Sequence, residues 1–283
     1  MRSVSNPVGT IRRGLTTVGL ALGAVLLTAV PAAAAVGPVP TSMASLGDSI
    51  TRGFNACGFY VDCPSRSFAT GGFAPVDSQA TRIQARAAAI AGHAFNDAKS
   101  GGKIADMPGQ AATAVSQHVQ YVTMLIGGND ACTPSESTMT SVVAFRASLD
   151  ATLRTLKSGL PGARVELVSI PDVKRLWAAG KGNWAALTVW GLFGICQSLL
   201  ANPMSTAPTD EARRARVRQR VIDFNAQLSD ACAAYGPNCA YDHGAVFNYP
   251  FTLSQISTWD YFHPNAAGQQ ILAQQSYVNG FNW

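Results

Sequence analysis

Three side chains far apart in the chain could together perform acyl transfer: a serine hydroxyl, an imidazole and a carboxylate. Ser49 follows Gly47-Asp48, directly after the apolar residues Met43, Ala44 and Leu46. A buried strand that runs into a glycine turn sets the next side chain at the carboxyl edge of its sheet, where open α/β sheets bind ligands. A serine hydroxyl is a weak nucleophile until a base takes its proton during attack. Four histidines follow the first strand: His93, His118, His243 and His263. His263 closes the segment Trp259-Asp260-Tyr261-Phe262-His263 and precedes Pro264, which is placed as the first residue of a helix. Asp260, three residues earlier, is expected to orient the imidazole and stabilise its protonated form. His243 follows Asp242 directly, and adjacent side chains on an extended segment point to opposite sides, so Asp242 would not orient it in this way. His93 precedes a strand and His118 ends a helix; both read as structural or solvated.

A tetrahedral intermediate also needs donors aimed at its oxyanion, each worth roughly 3–4 kcal/mol. Two further strand ends offer them. Gly101 follows Ser100, and a bare backbone there can approach a substrate closely. Asn129, in Gly127-Gly128-Asn129-Asp130, brings a neutral amide. With the Ser49 N–H they make three donors at the carboxyl ends of one sheet. Asp48 and Asp130 look like a carboxylate pair for metal or acid/base work.

The elements that must position these groups follow from periodicity and turn residues. Strands are expected over 41–46, 93–98, 121–126, 164–170 and 239–242. Helices are expected over 78–91 with Asp77 at its cap, 104–119, 142–156, and from a Thr209 cap with Asp210 and Glu211 in the first turn. A last helix is expected over 264–277. Val217, Val221, Phe224, Leu228 and Cys232 form one apolar stripe of the long helix, and Arg213, Arg214, Arg216, Arg218 and Arg220 are read as its solvated side. Strand, turn and helix repeated in this way mean an α/β fold with a parallel sheet covered on both faces.

Two stretches carry apolar surface without an obvious structural need. The loop 54–73 holds Phe54 and Tyr60 and is expected to form a cleft wall. The tract 177–200 holds Trp177, Trp184, Trp190, Leu192, Phe193, Leu199 and Leu200, and reads equally as a buried helical pair or as an apolar flap. Phe54, Tyr60, Trp190 and Trp259 are the candidate substrate contacts.

In four ordered blocks the chain resembles the SGNH hydrolases, the GDSL lipase/esterase family, and most of all its secreted, three-disulfide actinobacterial members. Gly47-Asp48-Ser49-Ile50 is similar to the block of the nucleophilic serine, with isoleucine where leucine is commoner. Asn96-Asp97-Ala98-Lys99-Ser100-Gly101 resembles the block whose glycine N–H enters the oxyanion hole. Gly127-Gly128-Asn129-Asp130 matches the block of the oxyanion asparagine, and Asp260-Tyr261-Phe262-His263 the terminal acid and base. In some relatives a backbone carbonyl replaces that acid. The resemblance also implies that Asp48 and Asp130 support their loops, which keeps them out of the catalytic set. The resemblance implies a flavodoxin-like three-layer α/β/α sandwich, no cofactor, and ester hydrolysis through an acyl-serine.

The whole-chain features agree with such a protein. Arg2, Arg12 and Arg13, an apolar run from Leu15 to Val30 and the small residues before Val36 read as a secretory signal over 1–35, leaving one domain over 36–283. The fit of Arg12-Arg13-Gly14-Leu15 to a twin-arginine signal is poor, and the export route stays open. Those arginines leave with the leader, so the formal charge falls from +5 to +2. No basic strip interleaved with aromatics points to nucleic acid. Six cysteines in an exported chain imply three disulfides, for which fifteen pairings exist. Joining neighbours gives Cys57–Cys63, Cys132–Cys196 and Cys232–Cys239. Zinc is disfavoured because no Cys-x-x-Cys occurs and no histidine spacing supports it.

The expected protein is a secreted, monomeric esterase or lipase, phospholipase included, that meets a small ester or a lipid surface. A polysaccharide deacetylase is the alternative. A catalytically silent surface-binding module on the same fold is the third reading.

Overall fold

The computed structural model describes residues 1–5, 37–281 and 283. The expected leader lies outside the described residues apart from its first five. The unit Val36–Trp283 holds every element below.

Five strands form one sheet: β1 (Met43–Gly47), β2 (Ala94–Asn96), β3 (Tyr121–Leu125), β4 (Arg164–Leu167) and β5 (Cys239–Tyr241). Their order is β2-β1-β3-β4-β5 and every neighbouring pair is parallel. This is the flavodoxin-like order, in which chain direction across the sheet reverses between β1 and β3. Ser49 and Asn129 follow those two strands, so the switch point lies between the expected nucleophile and one expected oxyanion donor.

Alternation along the strands serves two faces. Ala44, Leu46, Val122, Met124, Val165 and Leu167 pack into the larger core beneath helices Met107–Ser116, Val142–Gly159 and Pro208–Tyr235. Met43, Tyr121, Leu125 and Val168 face the other layer, built from Gln79–Gln84 and Ala266–Asn279. The fold is therefore a three-layer α/β/α sandwich. The disulfides are Cys57–Cys63, Cys132–Cys196 and Cys232–Cys239, which is the neighbour pairing.

Several local expectations are corrected. The first helix ends at Gln84 and is capped by Ser78, whose hydroxyl accepts from Thr81 N–H; Asp77 instead takes a left-handed φ of 49°. A separate 3-10 turn, Ala88–Ile90, then carries Ile90 into the core, so packing overrides the helix propensity of the alanines. The long helix begins at Pro208, with Ala207 at its cap and Thr209 inside its first turn, because proline's fixed φ starts the helix two residues earlier. Pro264 is not a helical residue. It bridges antiparallel to Ile256, and Asn265 caps the closing helix by accepting from Gly268 N–H at 3.1 Å.

Arg214 is not solvated. It lies three residues before Val217, in register with the apolar stripe, and is fully buried. Its guanidinium lies 4.3 Å above the Trp177 ring and donates to Glu211 at 2.8 Å and to the Ser205 carbonyl. Arg216 and Arg218 pair with Glu136 and Asp172, and Arg220 donates to the Thr140 carbonyl, so this arginine row cross-links loops.

The tryptophan-rich tract is a helical pair, Val173–Gly180 and Trp184–Leu192, with its inner row in the core. Trp177, Trp190, Leu199 and Leu200 are buried, whereas Trp184, Leu192 and Phe193 are 79%, 76% and 68% exposed. Among the described residues no helix is long and apolar enough to cross a membrane.

Candidate active site

The turn after β1 puts Ser49 where the sequence places it, and three distant side chains fix that turn. Gly47 has a φ of +151°, and a Cβ there would fall 2.4 Å from the Leu125 carbonyl. Only glycine passes between β3 and the turn. The Gln110 amide grips this residue from both sides, accepting from Gly47 N–H at 2.8 Å and donating to Gly47 O at 3.0 Å. The Gln269 amide donates to Ile50 O at 2.8 Å, and Asn96 Nδ2 donates to Thr51 O at 2.9 Å. Asp48 accepts from Ile50 N–H at 2.9 Å. Burial pushes the Asp48 carboxyl up to about 6, in keeping with a supporting role. Asp130 likewise accepts from Ile104 N–H and Thr140 Oγ1 and is raised by burial.

Ser49 is 7% exposed, and its Oγ lies 2.7 Å from His263 Nε2. His263 Nδ1 lies 2.5 Å from Asp260 Oδ2. With the ring proton on Nδ1, directed to the carboxylate, Nε2 is free to accept from the serine. Asp260 is buried, and its Oδ1 accepts from the N–H groups of Phe262 and His263 at 2.9 and 3.0 Å. Asp260 thus shapes the loop that carries His263 as well as facing its ring. That loop is anchored at its far end, where Ser257 N–H donates to His263 O at 2.8 Å.

The expected oxyanion donors occupy three neighbouring strand ends. Asn129 sits in a single helical turn after β3, and its Nδ2 donates to Gly102 O at 2.9 Å, tying the amide to the loop of Gly101. One amide hydrogen remains. Gly101 is exposed with a φ of +79°. Among the described residues no protein acceptor takes the N–H of Ser49 or of Gly101.

An apolar cleft opens beside Ser49 and Asn129. Its wall includes Ile50, Ile170, Val173, Leu176, Phe251 and Phe262. Sequence reasoning missed these residues, although Ile170-Pro171 ends the β4 segment at the sheet edge already singled out. Of the four expected substrate contacts, Phe54 sits edge-on to the His263 ring with centroids 4.9 Å apart, and Tyr60 packs on Phe54 at 4.9 Å. Neither lines the apolar cleft. Trp190 is corrected outright: it is fully buried, its indole lies where a Cβ on Gly180 would clash, and its Nε1 donates to Tyr261 O at 3.0 Å. It holds the loop from Asp260 to His263 from behind. Trp259 is half-exposed and donates to Gly58 O, outside the cleft beside Ser49. Asp242 accepts from Ser169, Gly244 N–H and Val246 N–H, while His243 is exposed, so that pair is structural.

The family model of the GDSL-like lipase/acylhydrolases matches residues 45–271, a span that begins just before Ser49 and passes His263. The chain belongs to the GDSL-like lipase/acylhydrolase family. No curated protein matches it. Among solved structures, a protein described as a GDSL-like lipase from Parabacteroides merdae is 17% identical, with a TM-score of 0.54 over 84% of this chain and 94% of that one. A catalytic mutant of an acetylxylan esterase from Geobacillus stearothermophilus is 15% identical, with a TM-score of 0.54 over 86% of this chain and 94% of that one. Those two likenesses concern the fold.

Proposed function

We propose that this member of the family is a serine hydrolase of carboxylic esters that works through an acyl-serine and accepts acyl chains longer than acetyl. The observation that carries the reading is the continuous line Ser49 Oγ, His263 Nε2, His263 Nδ1, Asp260 Oδ2, opening directly onto an apolar cleft. Ser49 Oγ attacks the ester carbonyl while His263 takes its proton. Asp260 stabilises the imidazolium that forms. The carbonyl oxygen gathers charge facing the N–H groups of Ser49 and Gly101 and the free amide hydrogen of Asn129. His263 then returns the proton to the leaving alcohol. In the second half-reaction it takes one from the water that attacks the acyl-serine and passes it to Ser49 Oγ as the acid leaves.

The apolar wall favours the acyl-chain reading over polysaccharide deacetylation, because an acetyl group needs little of it. A panel of nitrophenyl esters from acetate to decanoate, run beside acetylated xylan, tests this. The expected result is rising kcat/KM to butyrate or beyond with little acetate released from xylan. A sharp optimum at acetate would remove the acyl-chain reading. The three disulfides also support an oxidising, extracellular destination, as the basic and apolar leader expects. Recovery of the processed chain from culture medium tests that.

A further inference from the structure

Asp260 is shared. Its Oδ2, the oxygen that faces His263 Nδ1, also lies 2.7 Å from Asn55 Nδ2. Asn55 is 1% exposed and stands 205 positions earlier in the chain, six residues after the nucleophile. Two features single out this asparagine. Its backbone is left-handed, with a φ of 65°, a conformation that asparagine tolerates and most side chains resist. Its other amide atom, Oδ1, is buried and has no hydrogen-bond partner among the described residues. A buried, half-unsatisfied amide in a strained backbone is a stability cost, so its one bond is its distinguishing contribution.

The loop that presents Asn55 is braced at several points. Cys57–Cys63 closes it, and Asn55 itself donates to Val61 O at 3.0 Å and accepts from Gly58 N–H at 3.2 Å. Gly58 O accepts from the indole of Trp259, next to Asp260. At its far side Asp62 accepts from Arg52 Nε at 3.0 Å and from the hydroxyl of Ser100, beside Gly101. One disulfide-closed loop therefore touches the acid–base segment and the expected oxyanion segment together.

We infer that Asn55 is a positioning residue for the proton relay: its amide holds the Asp260 carboxylate at the angle that aims His263 at Ser49. This rests on the acyl-serine reading above. A hydrogen bond to a carboxylate stabilises its charged form, and its loss leaves Asp260 a stronger partner for the imidazolium in a less fixed orientation.

The test compares Asn55→Gly, Asn55→Asp and His263→Ala with the wild type on one nitrophenyl ester across pH, alongside thermal unfolding of each. Glycine keeps the left-handed backbone and removes the donor. For Asn55→Gly the expected result is kcat lower by about 10- to 100-fold with KM little changed. For Asn55→Asp, nearly isosteric, the new buried carboxyl lies too close to Asp260 for both to ionise, so the pair shares one proton. While protonated it still donates to Asp260 and keeps kcat within about tenfold of the wild type; as it ionises the donor is lost and kcat/KM falls, so the profile gains an alkaline limb that the wild type lacks. A purely structural role would change melting temperature without adding that limb. If Asn55→Gly fails to fold, the pH profile of Asn55→Asp decides alone. Wild-type kcat in Asn55→Gly, or a wild-type pH profile in Asn55→Asp, overturns the inference. Activity surviving in His263→Ala would instead overturn the acyl-serine reading itself, which keeps the two failures apart.

Discussion

His263 Nε2 lies 2.7 Å from Ser49 Oγ, a contact between residues 214 positions apart. Each side chain reaches it on a loop fixed by other parts of the chain. The Ser49 turn is gripped by Gln110 and Gln269, and the His263 loop is held by Asp260, Trp190 and the bridge between Ile256 and Pro264. In the proposed mechanism such a pair acts as one unit. Ser49→Ala and His263→Ala should each lower kcat by on the order of 10⁴ or more, and the double variant should be little worse than either. Additive losses in steady-state kinetics would count against a shared proton.

Asp260→Asn offers the ring an amide where it now meets a carboxylate. The imidazolium formed during attack then lacks its counter-charge, and kcat should fall by about 10²- to 10⁴-fold with KM nearly unchanged. A loss below about threefold would mean that another acceptor does this work.

Much of the site was legible because the chemistry sits in short contiguous blocks at strand ends. Ser49 after β1, Asn129 after β3, and Asp260 three residues before His263 are local patterns that the fold merely assembles. What escaped was long-range. Gln110, Gln269 and Asn55 look like ordinary polar residues, and only the tertiary structure turns their amides toward Gly47, Ile50 and Asp260. Trp190 was misread for the same reason: an aromatic in an apolar tract has no sign for which side faces inward. Arg214 was judged by charge alone, yet an aromatic ring and two oxygens cover it. Pro264 was assigned to the helix because its fixed φ suits a first turn equally well as an extended bridge.

The apolar cleft gives a specificity prediction. Leu176 is a half-buried side chain of its wall. Leu176→Trp should lower kcat/KM for octanoate by about 10-fold and leave acetate within about twofold, since excluding even one methylene from a hydrophobic site is worth about 1–3 kcal/mol. Equal losses on both esters would place the acyl chain elsewhere.

Stability should depend on pH through a carboxyl remote from catalysis. Glu166, in β4, is fully buried among Tyr121, Gln79 and Thr123. Burial pushes it from 4.5 up to about 7. The native state then holds this proton more tightly than the unfolded chain does. Its contribution is fully present below about pH 4.5 and is lost as pH rises through 7. Asp48, raised to about 6, acts in the same direction. Glu166→Gln should therefore unfold at higher temperature than the wild type at pH 8, by about 3 kcal/mol of stability, and show little gain at pH 4.5. A gain of equal size at both pH values would contradict this.

The central claim is that the Ser49 hydroxyl forms the covalent bond. Peptide mass mapping after treatment with an organophosphonate ester reads it directly. One adduct should form, on the peptide that contains Ser49, be absent from Ser49→Ala and form far more slowly in His263→Ala. A Ser49→Ala enzyme that still hydrolyses esters and still takes the label would contradict the account.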